Sequence, residues 1–364
     1  GYPQIIKNAE AMAAFFREAP VQIYDHELIV GSMLCPKKGA PVFPEFGLNW
    51  LIDEMENGLL DYSEKRTHDY FHFTDECYKQ LKECEDYWVG NCAEDRLTPN
   101  LTKDEIAGSH MNHGVFFCDS YLTCGAGHLG INYDRLLKMG WRAIREEIEE
   151  KMAELDLSNP EDLKKETFYK AALIMNQAAT DFIKRHAEAA RAKAAETEDE
   201  VRKAELLKIA ENCDWIATEP PRTFYEAIQA VEFANDMVLL ESNGHSISYG
   251  RFDQYMYPFY KHDLETGEAT REFCQELIEN FHIKIWEKNK VRNHIAIDVF
   301  ANGGIGGPAL TVGGVLEDGK DGTNDLTFMV LDAVAHTRIP TPWTAVRLHA
   351  GTPEELKVKT ANLI

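Results

Sequence analysis

The stretch ESNGHSISYGRFDQYMYPFY, residues 241–260, sets an acid, hydroxyls, an amide, a histidine and an arginine among glycines, then runs into aromatics from Tyr249 to Tyr260. His245 and Ser246 are neighbours, and on an extended chain adjacent side chains point to opposite faces. A nucleophile–base pair would need a tight turn there, and no G-x-S-x-G elbow surrounds them. Where the backbone turns, both can instead offer hydrogen bonds to a polar ligand, so the stretch reads as the wall of a polar pocket. Arg251 and Asp253 are expected to form a structural pair anchoring it.

Two other stretches carry chemistry-bearing residues. HMNHGVFFCDSYLTCGAGHLGINYDRLL, residues 110–137, holds His110, His113, Cys118, Cys124 and His128. That spacing fits no standard zinc site, and the intervening aromatics read as packing. His128 stands apart because Gly125-Ala126-Gly127 allows close backbone approach just ahead of a helix; a hydrogen-bonded core histidine and a site residue both satisfy the pattern. GGIGGPA, residues 303–309, satisfies G-x-G-x-x-A, but a dinucleotide loop needs a helix N-terminus behind it. Strand and turn, LTVGGVLEDG, follow instead, so the glycines are read as a loop that leaves space for substrate.

Positioning these residues falls to three regions. Up to about residue 107, helix and loop alternate: KNAEAMAAFFREAP is a helix ended by Pro20, and VQIYDHELIVG alternates like a strand. Residues 133–242 form a helical section with apolar residues at helical intervals and abundant Glu/Lys pairing on solvated faces. Ser158-Asn159-Pro160 starts one of its helices, and Thr223 with Glu226 fits a capping box at another. Beyond residue 242, NHIAIDVFA and LTVGGVLEDGKDG read as strands, LTFMVLDAVAHTR as a helix, TAVRLHA as a strand, and Thr352-Pro353-Glu354-Glu355 as a helix start. Strand and helix in alternation predict an α/β core carrying the helical section, and the sequence reads as part of a longer protein.

The bulk numbers narrow the class of function. With 364 residues and 44% hydrophobic content the chain can bury a substantial core. Its 38 Lys and Arg against 61 Asp and Glu give a net charge of −23, which repels phosphate backbones and argues against nucleic acid as a partner. No apolar run reaches membrane-spanning length, and the first residues lack the layout of a secretion signal. Eight cysteines without a CxxC pair read as reduced thiols of a cytoplasmic protein.

Six segments taken in order resemble the glycyl radical enzymes related to pyruvate formate-lyase. They are DHELIVGS (25–32), APVFPEFGLNWL (40–51), GAGHLGINYDRLLKMG (125–140), AENCDWIATEPPRTFYEAIQ (210–229), the 241–260 stretch, and TVGGVLEDGKDGTNDLTFMVLDAVAHTRIPTP (311–342). Each is modest alone; the ordered set is specific, and it covers nearly the whole chain as a partial pyruvate formate-lyase-type domain, residues 1–364. The glycerol and 1,2-diol dehydratase branch is the most similar. From that resemblance follow the first half of an α/β barrel wrapped in helices, and a lyase of anaerobic metabolism that eliminates water from a small hydroxylated substrate. His128, His245 and Ser246 become substrate-hydroxyl contacts. The resemblance implies no bound cofactor or metal; a radical-SAM activating enzyme installs a glycyl radical, and a homodimer, in the cytoplasm or a bacterial microcompartment, is expected. Other lyases of the family, cleaving C–N, C–S or C–C bonds as formate acetyltransferases do, and a non-catalytic relic, are the alternatives.

The departures from the family pattern are specific. Its thiyl cysteine lies in a G-C-V/I-E segment and its radical glycine in R-V-x-G-Y; neither occurs between Gly1 and Ile364. None of the eight cysteines is therefore assigned as the thiyl, and residues 1–364 alone are expected to be inactive. The branch carries a tyrosine before the V/I-G-G strand where this sequence has GGIGGPA. Losing that phenol removes a hydroxyl contact and enlarges the pocket, which argues against glycerol or propane-1,2-diol itself.

Overall fold

The computed structural model describes residues 2–33, 36–61, 63, 64, 66, 70–105, 128–242, 246–293 and 308–363. Helix α1 (Gln4–Glu18) ends at Ala19, before Pro20. Short helices α2 (Asn49–Glu56), α3 (Asp75–Trp88) and α4 (Ala93–Leu97) follow and close over a small apolar cluster around Leu48, Leu51 and Leu60.

The helical section comprises α5 (Tyr133–Ala153), α6 (Pro160–Glu196), α7 (Glu200–Ile216) and α8 (Phe224–Ser242). Asn159 caps α6 by accepting from the Glu161 amide, with Pro160 in the first turn, as its sequence punctuation predicts. The expected capping box on α8 is half present. Thr223 Oγ1 accepts from the Glu226 amide, but the Glu226 carboxylate takes the Arg222 amide at 2.6 Å and the Arg222 guanidinium rather than the Thr223 amide. That arginine is the reason, because a charged partner outcompetes a neutral one.

Helix α8 is buried nearly all round, its polar Glu226, Gln229, Glu232, Asn235 and Asp236 included. Phe233 on α8 meets Phe182 and His186 of α6 edge-on, and Phe182 meets Phe16 of α1 in a tilted contact, so aromatic packing joins the three helices. Full burial of a phenylalanine contributes about 1.5–3 kcal/mol. Gly140 kinks α5 with φ 68°; a Cβ there would lie 2.5 Å from the Glu219 carbonyl carbon and the Pro220 nitrogen, so the two segments meet backbone to backbone.

VQIYDHELIVG forms no strand. Its backbone groups are taken by side chains: Gln229 bonds both the amide and the carbonyl of Val30, Asn280 accepts from the Leu28 amide, and Arg202 donates to the carbonyls of Tyr24 and Glu27. The alternation in the sequence reports burial of an extended segment over the helices, not pairing in a sheet.

After α8 come β1 (Gly250–Arg251), α9 (Phe252–Tyr255), α10 (Tyr257–Thr266) and α11 (Arg271–Glu287). Then follow β2 (Ala309–Gly313), α12 (Asp325–Thr337), β3 (Trp343–Arg347) and α13 (Glu354–Leu363). The strands form one parallel sheet in the order β1-β2-β3, and β2–α12–β3 is the strand–helix–strand unit that the sequence predicts. The expected strand NHIAIDVFA and the GGIGGPA loop lie almost wholly outside the described residues.

Candidate functional site

The 241–260 stretch is fixed from both ends. Downstream, Tyr249 donates its amide to Ala309 O at 2.8 Å, and the Tyr255 hydroxyl donates to Tyr249 O. Arg251 and Asp253 do not pair with each other as the sequence reading expected. Arg251 donates to the carbonyls of Gly313 and Val315, while Asp253 Oδ2 accepts from the Gly313 amide and the Thr327 hydroxyl. The turn beyond β2 exposes carbonyls to one side and an amide to the other. The two residues therefore clamp the same turn separately.

Upstream, the segment pairs with residues next to His128. Gly130 and Ser248 form a parallel bridge, and the Ser248 amide donates to Leu129 O at 3.1 Å. His128 and Ser246 each stand two residues before that bridge along the chain. Both are left-handed, with φ 57° at His128 and φ 59° at Ser246. A non-glycine residue held there is disfavoured by about 1–2 kcal/mol, and such strain clusters where side chains are aimed for function. His128 is exposed and Ser246 half-buried; His245 lies outside the described residues.

Behind this turn sits a buried ionic cluster that sequence reasoning missed. Helix α8 presents Glu232, Asn235 and Asp236 on one face, and Lys288, the C-cap of α11, reaches into them. The Lys288 ammonium lies 2.8 Å from Asp236 Oδ1, 2.9 Å from Glu232 Oε1, 3.1 Å from Asn235 Oδ1 and 3.4 Å from the Tyr249 hydroxyl. All these side chains are buried. Burial pushes Glu232 up to about 7 against the pull of Lys288, and raises Asp236 in the same way; flanking carboxylates hold the Lys288 ammonium charged although burial opposes it. The spacing of Glu232 and Asp236, i and i+4 in a helix otherwise rich in apolar residues, was the available signal.

The aromatics of the stretch pack around this cluster. Tyr249 stacks on Tyr133 and meets Phe281 edge-on, and Tyr133 also stacks on Tyr255. Cys213 and Cys274 are buried in the helical core, where burial pushes both thiols up, Cys274 to about 12, so neither presents a thiolate. Among the described residues no group of three His, Cys, Asp or Glu side chains is arranged to hold a metal.

A parallel sheet wrapped in helices, with a strained polar turn at its edge, narrows the choice to few protein classes. The whole chain, residues 1–364, matches the pyruvate formate lyase-like family, and the protein belongs to it. It is 39% identical to a (2S)-3-sulfopropanediol dehydratase from Klebsiella oxytoca, covering all of this chain and 44% of that protein. It is 32% identical to an isethionate sulfite-lyase from Oleidesulfovibrio alaskensis, over 97% of this chain and 43% of that one. The glycerol-bound B12-independent glycerol dehydratase of Clostridium butyricum superposes with a TM-score of 0.92 at 36% identity, covering this chain fully and 45% of the other. The chain thus spans less than half the length of the proteins it matches, and its likeness is to glycyl radical dehydratases and lyases. No helix among the described residues is long and apolar enough to cross a membrane.

Proposed function

We propose that the protein carrying this chain is a glycyl radical lyase that eliminates water from a small hydroxylated substrate, with His128, His245 and Ser246 holding substrate hydroxyls. The observation that carries the reading is the left-handed backbone of both His128 and Ser246, each two residues before the Gly130–Ser248 bridge. Left-handed turns tip the two side chains out of the strand alternation, which lets neighbouring positions serve one ligand. Imidazole nitrogens and a hydroxyl can each accept or donate to an alcohol, and together they fix which substrate hydrogen faces the reacting centre. The radical chemistry is supplied by a cysteine and a glycine outside residues 1–364. Behind the site, Tyr249 packs against Tyr133 and Phe281 and backs the turn with aromatic surface.

The substrate is larger than glycerol or propane-1,2-diol in this reading. GGIGGPA carries no phenol to take a hydroxyl of a small diol, and the similarity to a sulfopropanediol dehydratase supports a diol bearing an anionic group. C–S cleavage is the second reading, favoured by the likeness to an isethionate sulfite-lyase. A radical-SAM activating partner, a homodimer and a cytoplasmic or microcompartment setting belong to the same proposal. The test is anaerobic activation of the full-length protein and assay against glycerol, propane-1,2-diol, 3-sulfopropanediol and isethionate. Water elimination from a diol, reduced about 10–100-fold in kcat/KM by His128→Ala or Ser246→Ala, is expected. Inactivity on every diol overturns the dehydratase reading, and sulfite release from isethionate selects the alternative.

A further inference from the structure

Asn235 stands at the junction of the ionic cluster and the candidate site. It is fully buried, its Oδ1 accepts from Lys288, and its Nδ2 donates to the Tyr133 hydroxyl at 3.2 Å and the Ile247 carbonyl at 3.4 Å. The ion cluster dictates which way the amide faces. An ammonium can only donate, so Oδ1 must point to Lys288, and Nδ2 is left to face Tyr133 and Ile247. Lys288 is itself fixed by Glu232 and Asp236, so the amide has one orientation.

The two groups it holds lie next to the candidate contacts. Ile247 directly follows the left-handed Ser246, and its carbonyl belongs to the Ile247–Ser248 peptide, whose amide donates to Leu129 O. Tyr133 opens α5, shortly after His128 and Gly130. From Ser248 onward the segment is already held by the Leu129, Ala309 and Tyr255 bonds described above. The Asn235–Ile247 bond holds the carbonyl side of the Ile247–Ser248 peptide from the core, one residue after the left-handed Ser246. We propose that Asn235 is a positioning residue: by holding the Ile247 carbonyl and the Tyr133 hydroxyl it keeps the turn that carries Ser246 in the conformation presented to substrate. This rests on the reading that Ser246 contacts a substrate hydroxyl.

The experiment is a double-mutant cycle in the activated full-length enzyme, with Asn235→Ala crossed against Ser246→Gly and rates normalised to glycyl radical content by electron paramagnetic resonance. Glycine removes both the hydroxyl and the strain, so it uncouples the two positions. Asn235→Ala is expected to raise KM and lower kcat/KM about 10-fold with unchanged radical content, and to add less than about 2-fold once Ser246 is glycine. An equal effect in both backgrounds, or none in either, overturns the positioning role while leaving Ser246 as a contact if Ser246→Gly alone is impaired. An unimpaired Ser246→Gly enzyme overturns the contact reading and the positioning role with it. Should Asn235→Ala not accumulate folded, Asn235→Ser, which keeps a small buried donor, enters the same cycle under the same criteria.

Discussion

Replacing Lys288 by methionine is the sharpest perturbation of the cluster behind the candidate site. Methionine matches the stem of lysine and deletes the ammonium, leaving Glu232 and Asp236 buried with no cation beside them. Removing one partner of a buried ion pair destabilises by about 3–5 kcal/mol, because the remaining charge is uncompensated. Here two carboxylates are left, and among the described residues Glu232 keeps one donor, the Tyr249 hydroxyl at 3.4 Å, so the upper half of that range is expected at pH 8. The loss must depend on pH. Glu232 is already pushed from 4.5 up to about 7 in the intact cluster, and without Lys288 both carboxyls rise further. A carboxyl whose pKa is raised on folding contributes stability that is present below its unfolded value and is lost as pH rises through the folded one. The gap between variant and parent therefore narrows toward pH 5 and widens from there through pH 7 to pH 8. Denaturant midpoints of both proteins at pH 5.5 and pH 8 measure it. A loss under about 1 kcal/mol at pH 8, or one equal at the two pH values, would refute this account of the cluster.

Two further substitutions test the local arguments. Gly140→Ala and Gly267→Ala both place a side chain at positive φ, but only the first meets backbone, at 2.5 Å, whereas nothing lies within 4 Å of the second. Thermal unfolding should show about 1 kcal/mol lost at Gly267 and about 3 kcal/mol or more at Gly140, and equal losses would contradict the close approach of α5 to the Glu219–Pro220 backbone. Asp253→Ala removes the acceptor of the Gly313 amide and the Thr327 hydroxyl, so amide exchange at Gly313 should speed by about 100-fold while α6 stays protected; unchanged exchange at Gly313 would contradict the clamp.

Much of this architecture was legible because local signals and burial agreed. The four helices of 133–242, the β2–α12–β3 unit and the Asn159 cap follow from periodicity and punctuation. What stayed hidden depended on partners far along the chain. Nothing within VQIYDHELIVG announces that Gln229, Asn280 and Arg202 will take its backbone groups. Likewise Arg251 and Asp253 look like a pair until the turn after β2 offers each a better partner. Glu232 and Asp236 were readable as polar residues on a helix rich in apolar residues, but their cation comes from Lys288, 52 residues beyond Asp236. At the candidate site, sequence named His128 and Ser246 by resemblance; their left-handed backbone and the bridge between Gly130 and Ser248 emerge only in three dimensions.

The central claim is tested most directly by activating the full-length protein under anaerobic conditions, recording its electron paramagnetic resonance spectrum, and then adding 3-sulfopropanediol. The account predicts a glycyl doublet in the full-length protein, none from residues 1–364 alone, and elimination of water from the diol that weakens when Ser246 is replaced by alanine. A full-length protein that carries the radical yet eliminates water from no hydroxylated compound, or does so unaffected by loss of Ser246 and His128, would contradict it.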